Sequence, residues 1–266
     1  MDRLEEFKQF AIELAQKGGE MMLEANSKQL GVDTKQHRTD FVTIYDRAIE
    51  KYIFDSLKER YPNHRFIGEE SAGANNRLES NDPTWIVDPI DGTSNFVHGY
   101  PLCCVSIALA IDRQMVVGVT NAPFLKKMYT AVKGGGSYCN GEPIYVSRNV
   151  RRIEDAMILL EANYDPRDSD SRRHVFDSLL WKCQSVRHIG SACVCMAMIA
   201  EGVAEIFLHH NLCIWDMAAG YVLITEAGGQ VCQYNGKPFD PHSGSCMGAA
   251  NDELIRLTEE VTKNGY

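Results

Sequence analysis

Residues 85–96 read WIVDPIDGTSNF, and they limit what this chain can fold into more than any other stretch. An apolar, β-prone lead of Trp85, Ile86 and Val87 ends on Asp88; Asp91 follows three positions later, and Gly92-Thr93-Ser94 then turns the chain. A buried strand cannot end on two bare carboxylates, because an unpaired charge is costly to bury and two neighbours repel. Either a cation sits there or the strand reading is wrong. An Asp-x-x-Asp by itself is usually a pair of turn or capping residues. Pro89 weakens that plainer reading, since its fixed φ shapes a backbone that presents both carboxylates on one side.

The same arrangement recurs. Glu69-Glu70 follows the apolar end of Arg65–Gly68, and Asp216 follows Cys213-Ile214-Trp215 at a helix-like start. Several carboxylates at strand ends suit a hard divalent cation with oxygen ligands, magnesium above all. The Gly92-Thr93 backbone at a helix start can offer N–H groups to an anion, so a metal and an anion cradle together point to phosphate. Spacing alone does not bring Glu69, Asp88, Asp91 and Asp216 together.

Around these motifs the chain reads as layered α/β with two subdomains. Leu4, Phe7, Phe10, Ala11, Leu14, Ala15, Met21 and Met22 recur at helical spacing, and residues 26–40 form a polar connection. Val42, Tyr45, Ile49, Tyr52, Ile53 and Leu57 mark a second helix that stops before Pro62. Strands are expected at Arg65–Gly68, 85–87, 102–111, 115–120 and 128–132, with turns at 134–136 and a hairpin at Asn140-Gly141. Beyond about residue 150 strands and helices alternate. Strands are expected at Met157–Leu160, 204–208 and 231–234, and helices at 171–182, Ala192–Ala200, 216–227 and 253–262. The reading is one domain over 1–266, with subdomains of roughly 1–150, carrying the metal site, and 151–266, on the substrate side.

The bulk properties exclude several classes. A net charge of −9 offers no basic face to nucleic acid. The longest nearly apolar run, 102–111, is too short to cross a bilayer. The charged N-terminal segment is no secretory signal, and nine cysteines without CxxC spacing suit free thiols in the cytoplasm.

WIVDPIDGTSNFVHGYP and WDMAAGYVLITEAGG, with IGEES as a third match, closely resemble the signature segments of the inositol monophosphatase family in order and spacing. The likeness runs from the first helix to about Asn251. It implies an αβαβα sandwich shared with fructose-bisphosphatase-like proteins, a homodimer, lithium sensitivity and two to three magnesium ions. Carried over by position, Glu69, Asp88 and the Ile90 carbonyl would hold one magnesium; Asp88, Asp91 and Asp216 would hold a second; Glu69 would reach a third through waters. Thr93, bonded to Asp46, would orient and deprotonate the attacking water, and a water on the second metal would protonate the leaving oxygen without a phosphoenzyme. Gly92 and Thr93 amides would hold phosphate. Gly190, Ser191 and Ala192 would line the sugar-alcohol side, and Lys35 would sit on a mobile loop.

One departure stands out. Seven residues before Asp216 the family has a glutamate that bonds inositol hydroxyls; here the position is His209, which either faces the leaving alcohol or reflects a slip in register. His209-His210 is not a transition-metal pair, since adjacent strand residues point to opposite faces. Cys193 and Cys195 diverge on a helix and read as packing, as do Cys103-Cys104. The function expected is magnesium-dependent hydrolysis of inositol monophosphates. Phosphatases of 3'-phosphonucleotides or fructose bisphosphate are a sister reading, for which Gly190-Ser191-Ala192 offers no extra cation although Arg187 and His188 are close. A catalytically silent metal-binding scaffold is the reading from another class.

Overall fold

The computed structural model describes residues 2–25, 33–34, 41–71, 77–161 and 169–263. Helix α1 (Asp2–Ala25) buries Phe7, Ala11, Leu14, Ala15 and Met22, the stripe its spacing predicts. Of the expected connection 26–40, only the two residues of β1 (Asp33–Thr34) are described; they pair with β2 (Phe41–Val42). Helix α2 (Ile44–Arg60) starts from a capping box: Thr43 and Asp46 each bond the other's backbone N–H.

Seven strands then form one sheet in sequence order: β3 (Arg65–Gly68), β4 (Thr84–Asp91), β5 (Cys104–Ile111), β6 (Gln114–Ala122), β7 (Lys127–Val132), β8 (Gly136–Cys139) and β9 (Glu142–Ile144). Only β3 and β4 run parallel. The one-turn helix α3 (Thr93–Val97) links β4 to β5. The chain continues through β10 (Met157–Leu160), α4 (Ser169–Leu180), β11 (Ser185–Arg187), α5 (Ala192–Ala200), β12 (Ile206–His210), α6 (Ile214–Glu226), β13 (Gln230–Cys232), β14 (Ser245–Ala249) and α7 (Asp252–Thr262). Its five strands form a second sheet in the order β11-β10-β12-β14-β13, in which β11, β10 and β12 are parallel and β14 is antiparallel to both neighbours.

Alternation along β4 sets the layers. Trp85 and Val87 pack with α1 and α2, whereas Ile86 joins the core of α5, α6 and the second sheet. Helices α4 and α7 pack on each other and against β11 and β14. The order is therefore α1/α2, seven-stranded sheet, α5/α6, five-stranded sheet, α4/α7, the αβαβα sandwich expected. Helix α6 lies so close to β6 that a Cβ on Gly118 would sit 2.5 Å from the Ala219 carbonyl oxygen.

Three differences from the sequence reading have physical causes. Strand β4 runs to Asp91 rather than ending at Val87, because Pro89-Ile90 occupies an irregular step: Asp88 pairs with Ser106 and Asp91 with Cys104, so three residues advance against two. That extra residue is where a proline, which cannot donate to the ladder, is tolerated. Strands β11 and β14 are three and five residues long, and Ser, Arg and Gly dilute their apolar signal. Helix α6 begins at Ile214, not Asp216, which places Asp216 at its third position.

Candidate active site

Asp88 continues the face of Ile86 and so points from the first sheet toward α5 and α6. Beside it, the parallel pairing of β3 with β4 leaves Glu69 one step past its strand, with its N–H on the Val87 carbonyl at 3.2 Å. The irregular step brings Asp91 back to the same end, and Gly92 (φ 85°) then turns the chain into α3. Asp216 arrives from the second half of the chain, its Oδ2 taking the Cys213 N–H at 2.6 Å in the first turn of α6.

Carboxylate oxygens of Asp88, Asp91 and Asp216 all lie within 4.8 Å of one another. Asp88 is 1% exposed, and its Oδ1 has no hydrogen-bond partner among the described residues. Burial first, then the charges of Glu69 and Asp91, push Asp88 well above the ordinary carboxylate range. Burial, then Asp91 and Glu69, do the same to Asp216. Burial also raises Asp91, against the opposing pull of the Ser191 hydroxyl and the Cys193 N–H. Three acids with an unanswered buried oxygen fit a divalent cation. Glu69 stands outside the 4.8 Å triangle and acts on it through its charge. The sulfurs of Cys104 and Cys193 also come within 4.8 Å of an Asp91 oxygen. Burial pushes the Cys104 thiol up to about 12, and the Cys104 contact, then burial, raise Cys193 well above its ordinary value. Both shifts disfavour the thiolate, so the carboxylate oxygens suit a hard cation better than the sulfurs do.

Asp46, fully buried in the first turn of α2, takes the Thr43 N–H at 2.7 Å and the Thr43 hydroxyl at 2.5 Å on Oδ2. The Thr93 hydroxyl reaches Asp46 Oδ1 at 3.2 Å and the Ile90 carbonyl at 2.9 Å. The expected Asp46–Thr93 pair is in place, joined by Ile90. Burial raises Asp46, and the Thr43 bonds oppose it.

The Gly190-Ser191-Ala192 segment lies against this cluster from the second half of the chain. A Cβ on Gly92 would sit 3.1 Å from the Gly190 carbonyl oxygen. The Ser191 hydroxyl bonds Asp91 Oδ2, which also takes the Cys193 N–H at 2.8 Å, and Ser191 caps α5. His209 is 7% exposed on β12, with Nδ1 at 2.5 Å from the His210 carbonyl. His210, on the other face, packs on Tyr234 with ring centroids 3.9 Å apart. Lys35 lies outside the described residues.

Two residues at the site escaped the sequence reading. Asn95 Nδ2 donates to the carbonyls of Leu102 (2.7 Å) and Ile189 (2.8 Å), tying α3 to the substrate-side loop. Glu161, 5% exposed, takes the N–H groups of Ile189 (2.5 Å) and Gly190 (3.0 Å), and its other oxygen meets His188 Nδ1 at 2.8 Å. Burial pulls Glu161 upward, but His188 and the two N–H groups outweigh it and leave the acid below its ordinary value; the Glu161 bond raises His188. The signal was available: MILLE puts an acid directly after an apolar strand, as RFIGE and WIVD do.

A layered α/β fold that gathers buried carboxylates from both halves of the chain beside a turned glycine defines a class, the metal-dependent hydrolases of phosphate monoesters. The inositol monophosphatase family model matches residues 3–263, and the chain belongs to that family. It is 36% identical to human inositol monophosphatase 1 over 98% of this chain and 95% of the relative. With inositol monophosphatase 3 of Solanum lycopersicum it shares 41% identity over 89% of each chain. The solved structure of a Thermotoga maritima IMPase superposes with a TM-score of 0.86, at 30% identity and covering 100% of both chains. The protein is therefore a phosphatase.

Proposed function

We propose that the protein hydrolyses inositol monophosphates to inositol and phosphate, using two to three magnesium ions held by Glu69, Asp88, Asp91, Asp216 and the Ile90 carbonyl. The observation that carries this reading is the Asp88–Asp91–Asp216 triangle with its unpartnered Asp88 oxygen. Bound there, magnesium supplies neutralisation of phosphate charge, a more acidic water and stabilisation of the leaving alkoxide.

The chain's own groups account for the rest. The Thr93 hydroxyl has one proton and two acceptors, so when it donates to Asp46 its lone pairs can take a hydrogen bond from the attacking water. Asp46, raised by burial, is a stronger base than a solvated aspartate and receives the proton that Thr93 relays. The Ile90 carbonyl has both lone pairs open to a cation when Thr93 donates to Asp46, and one when Thr93 donates to it instead. Ser191 and the Cys193 N–H hold Asp91 in one orientation. Gly92 and Thr93 receive phosphate oxygens, and Gly190, Ser191, Ala192 and His209 face the alcohol.

A homodimer fits the exposed apolar group at the end of α4, where Trp181 is 85% exposed beside Phe176 and Leu180. Nine free cysteines support a reducing, cytoplasmic setting. Among the described residues no helix is long and apolar enough to cross a membrane. The deciding experiment is phosphate release from inositol 1-phosphate with and without magnesium, beside a 3'-phosphonucleotide and fructose bisphosphate. Magnesium-dependent preference for the inositol ester supports the reading. Preference for either of the others moves the substrate, and release independent of divalent ions overturns the metal assignment.

A further inference from the structure

Glu161 is a buried acid that the chemistry above does not use. It follows β10 directly, its N–H bonded to the Leu208 carbonyl at 2.9 Å. It and His209 stand one residue beyond the paired Leu160 and Leu208 on neighbouring parallel strands. Its carboxylate takes two consecutive N–H groups of the substrate-side loop, those of Ile189 and Gly190, together with the His188 imidazole and the Cys195 thiol at 3.4 Å. Asn95 holds the same loop from the opposite side through the Ile189 carbonyl. Gly190 has φ 80°, and a Cβ there would lie 2.9 Å from Asn95 Oδ1, so the loop is clamped at a point that leaves no room for a side chain.

A neutral amide oxygen could accept both N–H groups without the cost of a buried charge, but its other end would offer His188 an N–H in place of an acceptor. A carboxylate can serve both N–H groups and an imidazole together, because it has two acceptor oxygens and about four lone-pair sites. The His188 imidazole, with the two N–H groups, holds the acid below its ordinary value, and its side chain is 45% exposed on the way to solvent.

We propose that Glu161, with His188 as its side-chain partner, is a positioning residue for the alcohol half of the substrate. It fixes the height of the Ile189-Gly190 backbone, and so the surface on which the leaving sugar alcohol rests. The phosphate half has an anchor of its own: Ser191 and the Cys193 N–H hold Asp91 from the capped start of α5, one residue beyond the clamped Gly190. The inference rests on the phosphatase reading with the Gly190 loop on the alcohol side.

The test uses the full chain loaded with magnesium. Glu161→Gln keeps the volume and one acceptor; His188→Gln leaves the acid in place. Inositol 1-phosphate is compared with p-nitrophenyl phosphate, whose flat alcohol has no hydroxyls to orient. In Glu161→Gln, kcat/KM for inositol 1-phosphate should fall about 10-fold or more, chiefly through KM, as expected when oriented polar contacts to a substrate are lost. The fall for p-nitrophenyl phosphate should be much smaller, with the magnesium half-saturation unchanged. His188→Gln should shift the same ratio in the same direction by a lesser factor. Equal losses on both substrates, or an unchanged ratio in folded protein, overturn the proposal. If Glu161→Gln does not fold, an unchanged ratio in His188→Gln overturns it. Failure of the underlying reading looks different: the unmodified protein would then release no phosphate from either ester on adding magnesium.

Discussion

Asp88→Asn should make the metal-free protein more stable while destroying its response to magnesium. Carboxylate oxygens of Asp88, Asp91 and Asp216 lie within 4.8 Å of one another, and a pair of unit charges at that limit repels by about 3.5 kcal/mol at an effective dielectric of ~20. Two such pairs act on Asp88, giving ~7 kcal/mol. Protonating a carboxyl of ordinary pKa at pH 7 costs only about 4.4 kcal/mol, so the metal-free protein takes up a proton and that smaller figure is the ceiling on strain relieved. Partial screening at Asp216, the least buried of the three, brings the expected gain to ~2 kcal/mol, or roughly 4–8 °C in Tm for a chain of this size. The sign follows from linkage. The acids' pKa values are raised in the folded state, which binds more protons than the unfolded state, so metal-free stability falls as pH rises from the unfolded carboxyl range through the raised folded values. Asparagine removes much of that slope. The assay is thermal unfolding in EDTA and in excess magnesium at several pH values. A lower Tm for Asp88→Asn in EDTA, or a magnesium shift equal to that of the unmodified protein, would refute the reasoning.

Thr93→Ala should leave magnesium and substrate affinity near normal and slow single-turnover release by about 10²–10⁴-fold, the range for loss of an orienting or proton-relaying group; an unchanged rate removes both Thr93 and Asp46 from the chemistry. Lithium, by family resemblance, should inhibit more strongly as substrate saturates, since it would replace magnesium beside Asp91 and Asp216 after bond cleavage; purely competitive inhibition contradicts that order. His209→Glu should change relative kcat/KM across inositol isomers and other sugar phosphates by about 1–3 kcal/mol, with a weak effect on p-nitrophenyl phosphate. A uniform response would place His209 out of reach of the alcohol.

The local half of the site was legible in the sequence and the long-range half was not. DPIDGT carries Asp88, Asp91 and the left-handed Gly92 in one segment, so an acidic turn ending in a glycine could be read directly. The helical stripe of α1 and the Asn140-Gly141 hairpin followed from periodicity and turn chemistry. Convergence of Asp216 on Asp91 depends on two sheets meeting across α6, which no spacing encodes; resemblance supplied it. Glu161 was overlooked although its pattern matched the others, because its partners lie about thirty residues away and two of them, Ile189 and Gly190, offer only backbone N–H groups. Backbone donors leave no trace in a side-chain pattern. The irregular step at Pro89 was hidden for a related reason: a proline inside a strand argues against the strand until its pairing partner is known.

The central position of α6 also bears on the order in which the protein can be made. Asp88 and Asp91 leave the ribosome more than a hundred residues before Asp216. Until then the sheet face bearing Ile86, Ala108, Ala110, Tyr129 and Ala131 lacks α6, the helix that covers most of it, and the acids at its end lack the third carboxylate. A nascent chain of the first sheet alone is thus both sticky and without its full set of carboxylates. Arrival of the WDMAAG segment removes both defects in one docking step, so uptake of an ion at the proposed site would report that synthesis has passed α6 and that the two sheets have closed on it.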